Sequence, residues 1–189
     1  MELIFAASVA GMRSGKEATG GMQNSTMTSP KYWVKNGPSP RMLEELRLAR
    51  SLMAVRLTRR VDFPMLDLAG IAFYPRIYDL AHRFFEEAWL EICGVDYPYI
   101  LSEMNVGFPV VDIKSEFHSP FRYGDTVTAT IWISKIGNKS CTWQYEFHNQ
   151  NGELLWSSEQ VTVCVSMTNM ESLTIPDKLR EGLEGCIND

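Results

Sequence analysis

One carboxylate stands in an otherwise apolar loop, shortly before the start of a predicted helix. Asp67 is the only acidic residue between Phe63 and Pro75. An ionised carboxylate is costly in apolar surroundings, so its basicity or nucleophilicity increases. The start of a helix offers free N–H groups and the positive end of the helix dipole, which stabilise an oxyanion. The two features together indicate acyl-transfer chemistry.

A structural role explains the same residues. Asp67 caps a turn in this alternative, and Gly70 helps the chain to reverse. Spacing alone leaves both interpretations open.

The three histidines are scattered, and their spacing predicts no metal centre. His82 falls on the predicted helix beside the Asp67 loop, where contact with a substrate and a surface or interface position are both open. His118 follows a predicted strand and is expected in a loop. His148 lies on the polar face of its strand and is expected to be solvated.

The clearest element is a helix from Tyr74 to Ile92. Its apolar residues recur every three or four positions and form one broad stripe. Pro75 suits the first turn, and Gly94 is the expected left-handed cap. The stripe consists of Ile77, Leu80, Ala81, Phe84, Phe85, Ala88, Trp89 and Ile92.

Strands dominate the rest of the chain. Alternating apolar and polar residues, with turn signals such as Asn151-Gly152, predict antiparallel pairing. Pro109 predicts an edge or a bulge. One long helix and several strands predict an α+β layer, a curved sheet wrapped around that helix. The predicted strands are Met53–Phe63, Val106–Phe117, Thr126–Ile136, Ser140–His148 and Glu153–Met167, with short helices after Ser39-Pro40 and over Thr174–Gly185.

The chain divides into an extension over residues 1–47 and a domain over residues 48–189. The first part is rich in Gly, Ser, Thr and Pro without sustained periodicity, so a flexible or loosely packed segment is expected. A transit peptide is an alternative for this segment, and its few basic residues argue against it.

Composition excludes several classes of partner. The net charge of −5 disfavours nucleic acid, and no apolar run is long enough for a membrane span. The densest basic cluster, which includes Arg56, Arg59 and Arg60, is equally explained as a solvated flank. The four cysteines form no zinc motif and are expected to be idle thiols in the cytoplasm.

The loop and helix carry a recognisable signature. Asp67-Leu-Ala-Gly70-Ile-Ala-Phe-Tyr74-Pro75 resembles the D-x-x-G-x-x-x-Y-P motif of hotdog-fold thioesterases, in particular the 4-hydroxybenzoyl-CoA thioesterase group. The resemblance continues through Pro109-Val110-Val111, Phe117, Gly124-Asp125 and Lys139-Ser140, and covers roughly residues 52–185.

The resemblance implies a central helix in a curved antiparallel sheet, dimers or tetramers, and active sites at the dimer interface. Asp67 would attack the thioester or activate water, the Tyr74 amide would polarise the carbonyl, and Gly70 would allow close approach of the substrate. No cofactor is expected beyond the coenzyme A thioester that serves as substrate. By the same resemblance, Tyr78, His82, Lys139 and Ser140 contact the substrate.

Three positions differ from the family pattern. Met65 replaces an acid that often precedes the catalytic one, so Asp67 acts alone. His82 stands where an acid often recognises a phenolic hydroxyl. Lys139 alone remains of a basic turn that grips the phosphates of coenzyme A, so an acyl carrier protein is an alternative donor.

These observations predict an acyl-CoA thioesterase. The alternatives are an acyl-carrier-protein thioesterase, a non-hydrolytic module that binds acyl groups, and a dehydratase in which His82 works with an acid. The identity of the acyl group does not follow from the sequence.

Overall fold

The computed structural model of the protein describes Arg41 and residues 54–187. The predicted extension and the strand start at Met53 lie outside them, as does the predicted helix after Ser39-Pro40 apart from Arg41, which is helical. In chain order the elements are β1 (Val55–Arg60), a 3-10 turn (Phe63–Met65), α1 (Tyr74–Cys93), α2 (Tyr97–Ser102), β2 (Val106–Gly107), β3 (Val110–Phe117), β4 (Thr126–Ile136), β5 (Ser140–His148), β6 (Leu154–Val163), β7 (Val165–Ser166) and α3 (Asp177–Glu184).

The long helix α1 confirms the prediction from periodicity to within one residue. Its apolar stripe is buried, from Ile77 to Trp89. Gly94 ends the helix with φ of 65°, a left-handed conformation that glycine adopts without strain, and its N–H donates to the Leu90 carbonyl. Twenty residues at about 1.5 Å each give α1 a length of roughly 30 Å.

Five antiparallel strands form the main sheet in the order β1-β4-β5-β6-β3. One face of β5 is buried at Cys141, Trp143, Tyr145 and Phe147, as strict alternation predicts. The buried stripe of α1 and this face of the sheet contribute to one apolar core. The α+β architecture is therefore confirmed.

The predicted strand from Val106 to Phe117 is two strands. Pro109 separates β2 from β3 and has no N–H for a ladder, and a bulge follows between Val110 and Asp112. β3 lies at one edge of the sheet. The expectation of an edge or a bulge at Pro109 is thus confirmed.

Helix α2 is absent from the sequence prediction. It begins after Asp96, whose side chain accepts a hydrogen bond from the Tyr99 N–H at 2.8 Å. The helix has six residues, with Pro98 near the start, and these are too few for the spacing of apolar residues to indicate a helix.

The cysteines are free thiols, as expected. Burial raises the pKa of Cys93 to about 12 and that of Cys164 to about 11. Within the described part of the chain, no helix combines the length and the apolar character that crossing a bilayer requires.

Candidate active site

The Asp67 loop is a tight turn fixed by its own backbone. The Asp67 N–H donates to the Ile71 carbonyl at 3.0 Å, and the Gly70 N–H donates to the Asp67 carbonyl at 3.0 Å. Asp67 Oδ1 accepts a hydrogen bond from the Ala69 N–H at 2.8 Å. Gly70 has φ of 73°, which a side chain would strain. The capping role of Asp67 therefore exists, and it engages one carboxylate oxygen only in the contacts of the described residues.

The start of α1 offers a free donor beside this loop. The Phe73 N–H donates to the Met65 carbonyl at 2.8 Å, which ties the helix start to the 3-10 turn. No side chain caps the helix, and its first turn contains no acid. Pro75 has no N–H, and the Tyr74 N–H makes no hydrogen bond with another described residue. An unpaired amide at a helix start is suited to an oxyanion.

A cleft of about 480 Å³ brings the carboxylate and the helix start together. The connection between β3 and β4 forms its other wall, held in place by a hydrogen bond from the Ala72 N–H to the Phe121 carbonyl at 3.0 Å. The cleft is lined by Asp67, Ile71, Ala72, Phe73, Tyr74, Ile77, Phe117, His118, Ser119, Pro120 and Phe121. A mostly apolar cavity with one carboxylate and one free amide has the parts for acyl transfer.

Asp67 has apolar neighbours, but the described residues do not bury its carboxylate. Asp67 is exposed, and its neighbour Leu68 is fully exposed. The turn points away from the core because its hydrogen bonds are made within the loop, and no described element covers it. Desolvation of the carboxylate therefore requires something in addition to the described residues.

Tyr78 and His82 follow Tyr74 along α1 at four-residue spacing. The Tyr78 ring makes an edge contact with Trp156 at 5.8 Å between centroids. His82 is exposed, and its Nε2 lies 3.2 Å from Oε1 of Glu86. Glu86 is thus an acid one helical turn after position 82, where the family pattern has an acid. Neither residue lines the cleft, so they extend the helix face that begins there.

Lys139 and Ser140 lie at the other end of the molecule. Their hairpin follows β4, whose start adjoins the cleft. The other end of β4 lies near the C-terminus of α1, and the Ile133 N–H donates there to the Cys186 carbonyl. Lys139 Nζ donates to the carbonyl and to Oγ of Ser172, at 2.8 and 3.1 Å. Ser140 accepts from the Gly137 N–H at 2.8 Å through its carbonyl. Within one protomer, the fold does not bring either residue to Asp67.

The β3–β4 side of the cleft was not predicted from the sequence. This side consists of Phe117, His118, Ser119 and Pro120. The His118 and Ser119 N–H groups both donate to the Leu155 carbonyl on β6, which holds the segment at the cleft. His118 is indeed a loop residue, and its Nε2 lies 2.9 Å from Ser157 Oγ. No local signal could reveal this side, since it depends on pairing between distant segments.

Comparison with known proteins finds similarity to one family. The model of the thioesterase superfamily matches residues 69–155, a stretch that starts two residues after Asp67. A 1,4-dihydroxy-2-naphthoyl-CoA hydrolase from Thermosynechococcus vestitus is 23% identical over 121 residues, which cover 64% of this chain and 82% of that protein.

Solved structures of thioesterases have the same fold. The gentisyl-coenzyme A thioesterase BH1999 superposes with a TM-score of 0.61 at 25% identity, covering 67% of this chain and 99% of its own. The 1,4-dihydroxy-2-naphthoyl-CoA thioesterase Slr0204 from Synechocystis superposes with a TM-score of 0.62 at 19% identity, covering 69% of this chain and 95% of its own. The chain is similar to the thioesterase superfamily over residues 69–155 and has the hotdog fold.

Proposed function

We propose that this protein is an acyl-CoA thioesterase and that the Asp67 cleft is its active site. The observation that carries the proposal is the cleft itself, which joins an exposed carboxylate to a free amide at the start of a 20-residue helix. The superfamily match and the names of the relatives, which are hydrolases of coenzyme A thioesters, support the same reaction.

The chemistry follows from these two groups. Asp67 either takes a proton from a water molecule that attacks the thioester carbonyl carbon, or attacks that carbon itself to give an anhydride that water then hydrolyses. In both routes the Tyr74 amide donates to the carbonyl oxygen as it becomes an oxyanion. The C–S bond breaks, the acyl group leaves as a carboxylic acid, and the sulfur leaves as a thiol.

A second copy of the chain is proposed to complete the site. Asp67 is exposed beside several uncovered apolar side chains of its loop and of the helix start. The edge strand β3 also carries exposed Val111, Ile113 and Phe117. An unpaired apolar edge and an apolar loop are surfaces that proteins bury in an interface. The exposed loop side chains are Phe63, Leu68, Phe73 and Tyr74. The proposed assembly is a homodimer at least, with a tetramer as the next step.

The proposed acyl group is a hydroxylated aromatic acid. The relatives' names specify dihydroxynaphthoyl and gentisyl groups. In this chain, the pair of His82 and Glu86 offers both a donor and an acceptor to a phenolic hydroxyl. Tyr78, half-buried against Trp156, provides an aromatic surface between this pair and the cleft. Gly70 contributes by shaping the turn that holds Asp67.

Free cysteine thiols fit the cytoplasm, which we propose as the location of the enzyme.

A panel of thioesters tests the reaction. Release of free thiol is measured with aliphatic, aromatic and hydroxylated aromatic acyl-CoA esters and with an acyl carrier protein thioester, and loss of water is measured with a 3-hydroxyacyl-CoA. We expect thiol release, fastest with hydroxylated aroyl-CoA. Saturable binding without thiol release would establish a non-hydrolytic module instead, and loss of water would establish a dehydratase.

A further inference from the structure

A second concave surface lies on the other side of the Asp67 loop. It is a groove of about 320 Å³ between the end of β1, the 3-10 turn and the first three turns of α1. Four arginines line it together with two aspartates, a formal excess of two positive charges in a chain whose net charge is −5. We call it the arginine groove; its lining residues are Arg59, Arg60, Asp62, Pro64, Met65, Arg76, Asp79, Leu80 and Arg83.

Three of the four guanidinium groups have an acidic partner. Arg83 pairs with Asp79 at 3.0 Å, Arg60 approaches Asp62 at 3.9 Å, and Arg59 pairs with Glu87. These pairs are largely exposed, so they hold the side chains weakly and can exchange partners. The groove is therefore lined by accessible cations.

Arg76 is the exception. It is exposed in the first turn of α1, where the helix dipole disfavours a cation, and no acid shares that turn. Among the described residues it forms no ion pair. A cation placed against the dipole and left without an acidic partner is not explained by the stability of the helix.

We propose that the arginine groove binds the phosphate groups of the coenzyme A thioester, an inference that rests on the proposed function. Guanidinium groups bind phosphate oxygens in pairs, which makes arginine suited to this ligand. A chain with a net negative charge repels a polyanionic substrate unless a local cationic surface receives it.

The position of the groove fits a substrate that reaches the Asp67 cleft. Met65 lines the groove and Asp67 follows it by two residues. The helix rise places Arg76 about 3 Å and Arg83 about 14 Å along the axis from Tyr74. In a coenzyme A thioester the pantetheine arm separates the reacting carbonyl from the phosphates, so one molecule spans both surfaces.

The hairpin at Lys139 is the competing phosphate site. Its ammonium is already engaged by Ser172, and the hairpin lies at the far end of the sheet from Asp67 in the same protomer. Only a second copy could bring it near the cleft. The arginine groove needs no second copy.

Calorimetric titration with coenzyme A itself tests the groove without turnover, so its outcome is independent of whether the protein hydrolyses thioesters. We expect the Kd to rise about five- to tenfold in the double variant Arg60→Gln/Arg76→Gln. Lys135→Gln, a matched removal of an exposed charge on β4, leaves the Kd unchanged. Pantetheine, which lacks phosphate, binds the wild type and the double variant equally. An unchanged Kd for coenzyme A in the double variant overturns the proposal, as does an equal loss of affinity for pantetheine.

Two further variants separate binding from structure. Arg76→Glu replaces a cation by an anion at a helix start, so it raises the melting temperature through the dipole while weakening coenzyme A binding. A loss of affinity that only accompanies a loss of folding overturns the proposal. Lys139→Gln tests the competing site at the hairpin. If this variant raises the Kd for coenzyme A and the double variant does not, the phosphates bind at the hairpin and the proposal is overturned.

Discussion

The two ends of helix α1 are built differently. At the C-terminal end, Gly94 caps the helix, and α3 packs so closely that a Cβ at Gly182 would lie 2.7 Å from the Ile92 carbonyl oxygen. Leu179 and Leu183 are fully buried there. At the N-terminal end, no described side chain caps the helix or bonds the Tyr74 amide, and Leu68 is fully exposed. The C-terminal end, which we call the closed end, contributes stability. The N-terminal end, which we call the open end, leaves its polar and apolar groups available to a substrate or a second copy.

Removing a leucine from the closed end should lower the free energy of unfolding more than any other change proposed for the protein. Leu179→Ala leaves a cavity in a site with no exposed surface and should lower the free energy of unfolding by about 2–5 kcal/mol. Urea denaturation followed by circular dichroism measures it. Lys178→Ala, an exposed neighbour on the same helix, serves as the control and should change stability by less than about 0.5 kcal/mol. A loss of similar size in both variants would contradict the comparison.

Alkaline pH should lower the free energy of unfolding through Cys93, which lies at the same end of α1. Burial raises the pKa of Cys93 to about 12 from an ordinary value of 9.0. The folded state therefore keeps a proton that the unfolded state loses, so its contribution is complete below pH 9 and declines as the pH rises towards 12. Denaturant unfolding between about pH 8 and 10.5 should show stability falling above about pH 9, and Cys93→Ala should reduce the fall. An identical pH dependence in wild type and variant would show that Cys93 is not the source.

The same type of substitution at the open end should hardly affect the chain's own stability. Leu68→Ala removes a side chain that is already in water, so the free energy of unfolding should change by less than about 0.5 kcal/mol. Its effect should appear in assembly, where the dissociation constant of the dimer rises. Analytical ultracentrifugation measures it. A destabilisation as large as that of Leu179→Ala would mean that the two ends are not different.

Local sequence patterns anticipated the elements better than the site. The stripe on α1, Pro75 and Gly94 each act within a few residues, so the helix and its ends followed from the sequence. The carboxylate and the helix start also followed, since they share one loop. The far wall of the cleft did not, because His118 and Ser119 reach it through pairing with β6.

Two site expectations depended on spatial relations that sequence order hides. Lys139 is separated from Asp67 by the length of the sheet, so its predicted role in substrate binding requires another protomer. A solvated flank explains the arginines of β1 equally well from the sequence, but the fold sets Arg59 and Arg60 along one groove with two arginines of α1. Apolar residues flank Asp67 in the sequence, but Leu68 is fully exposed and the carboxylate itself is exposed.

Turnover by Asp67→Asn is the most direct test of the open end as the catalytic one. The variant keeps the size of the side chain and an oxygen for the Ala69 N–H, and it removes the basic, nucleophilic carboxylate. Glu171→Gln, a matched change at an exposed acid after β7, is the control. With the best thioester of the panel, kcat should fall by about 100-fold or more while coenzyme A affinity and melting temperature are retained. A kcat equal to that of the wild type would contradict the assignment of Asp67 and of the cleft as the site of hydrolysis.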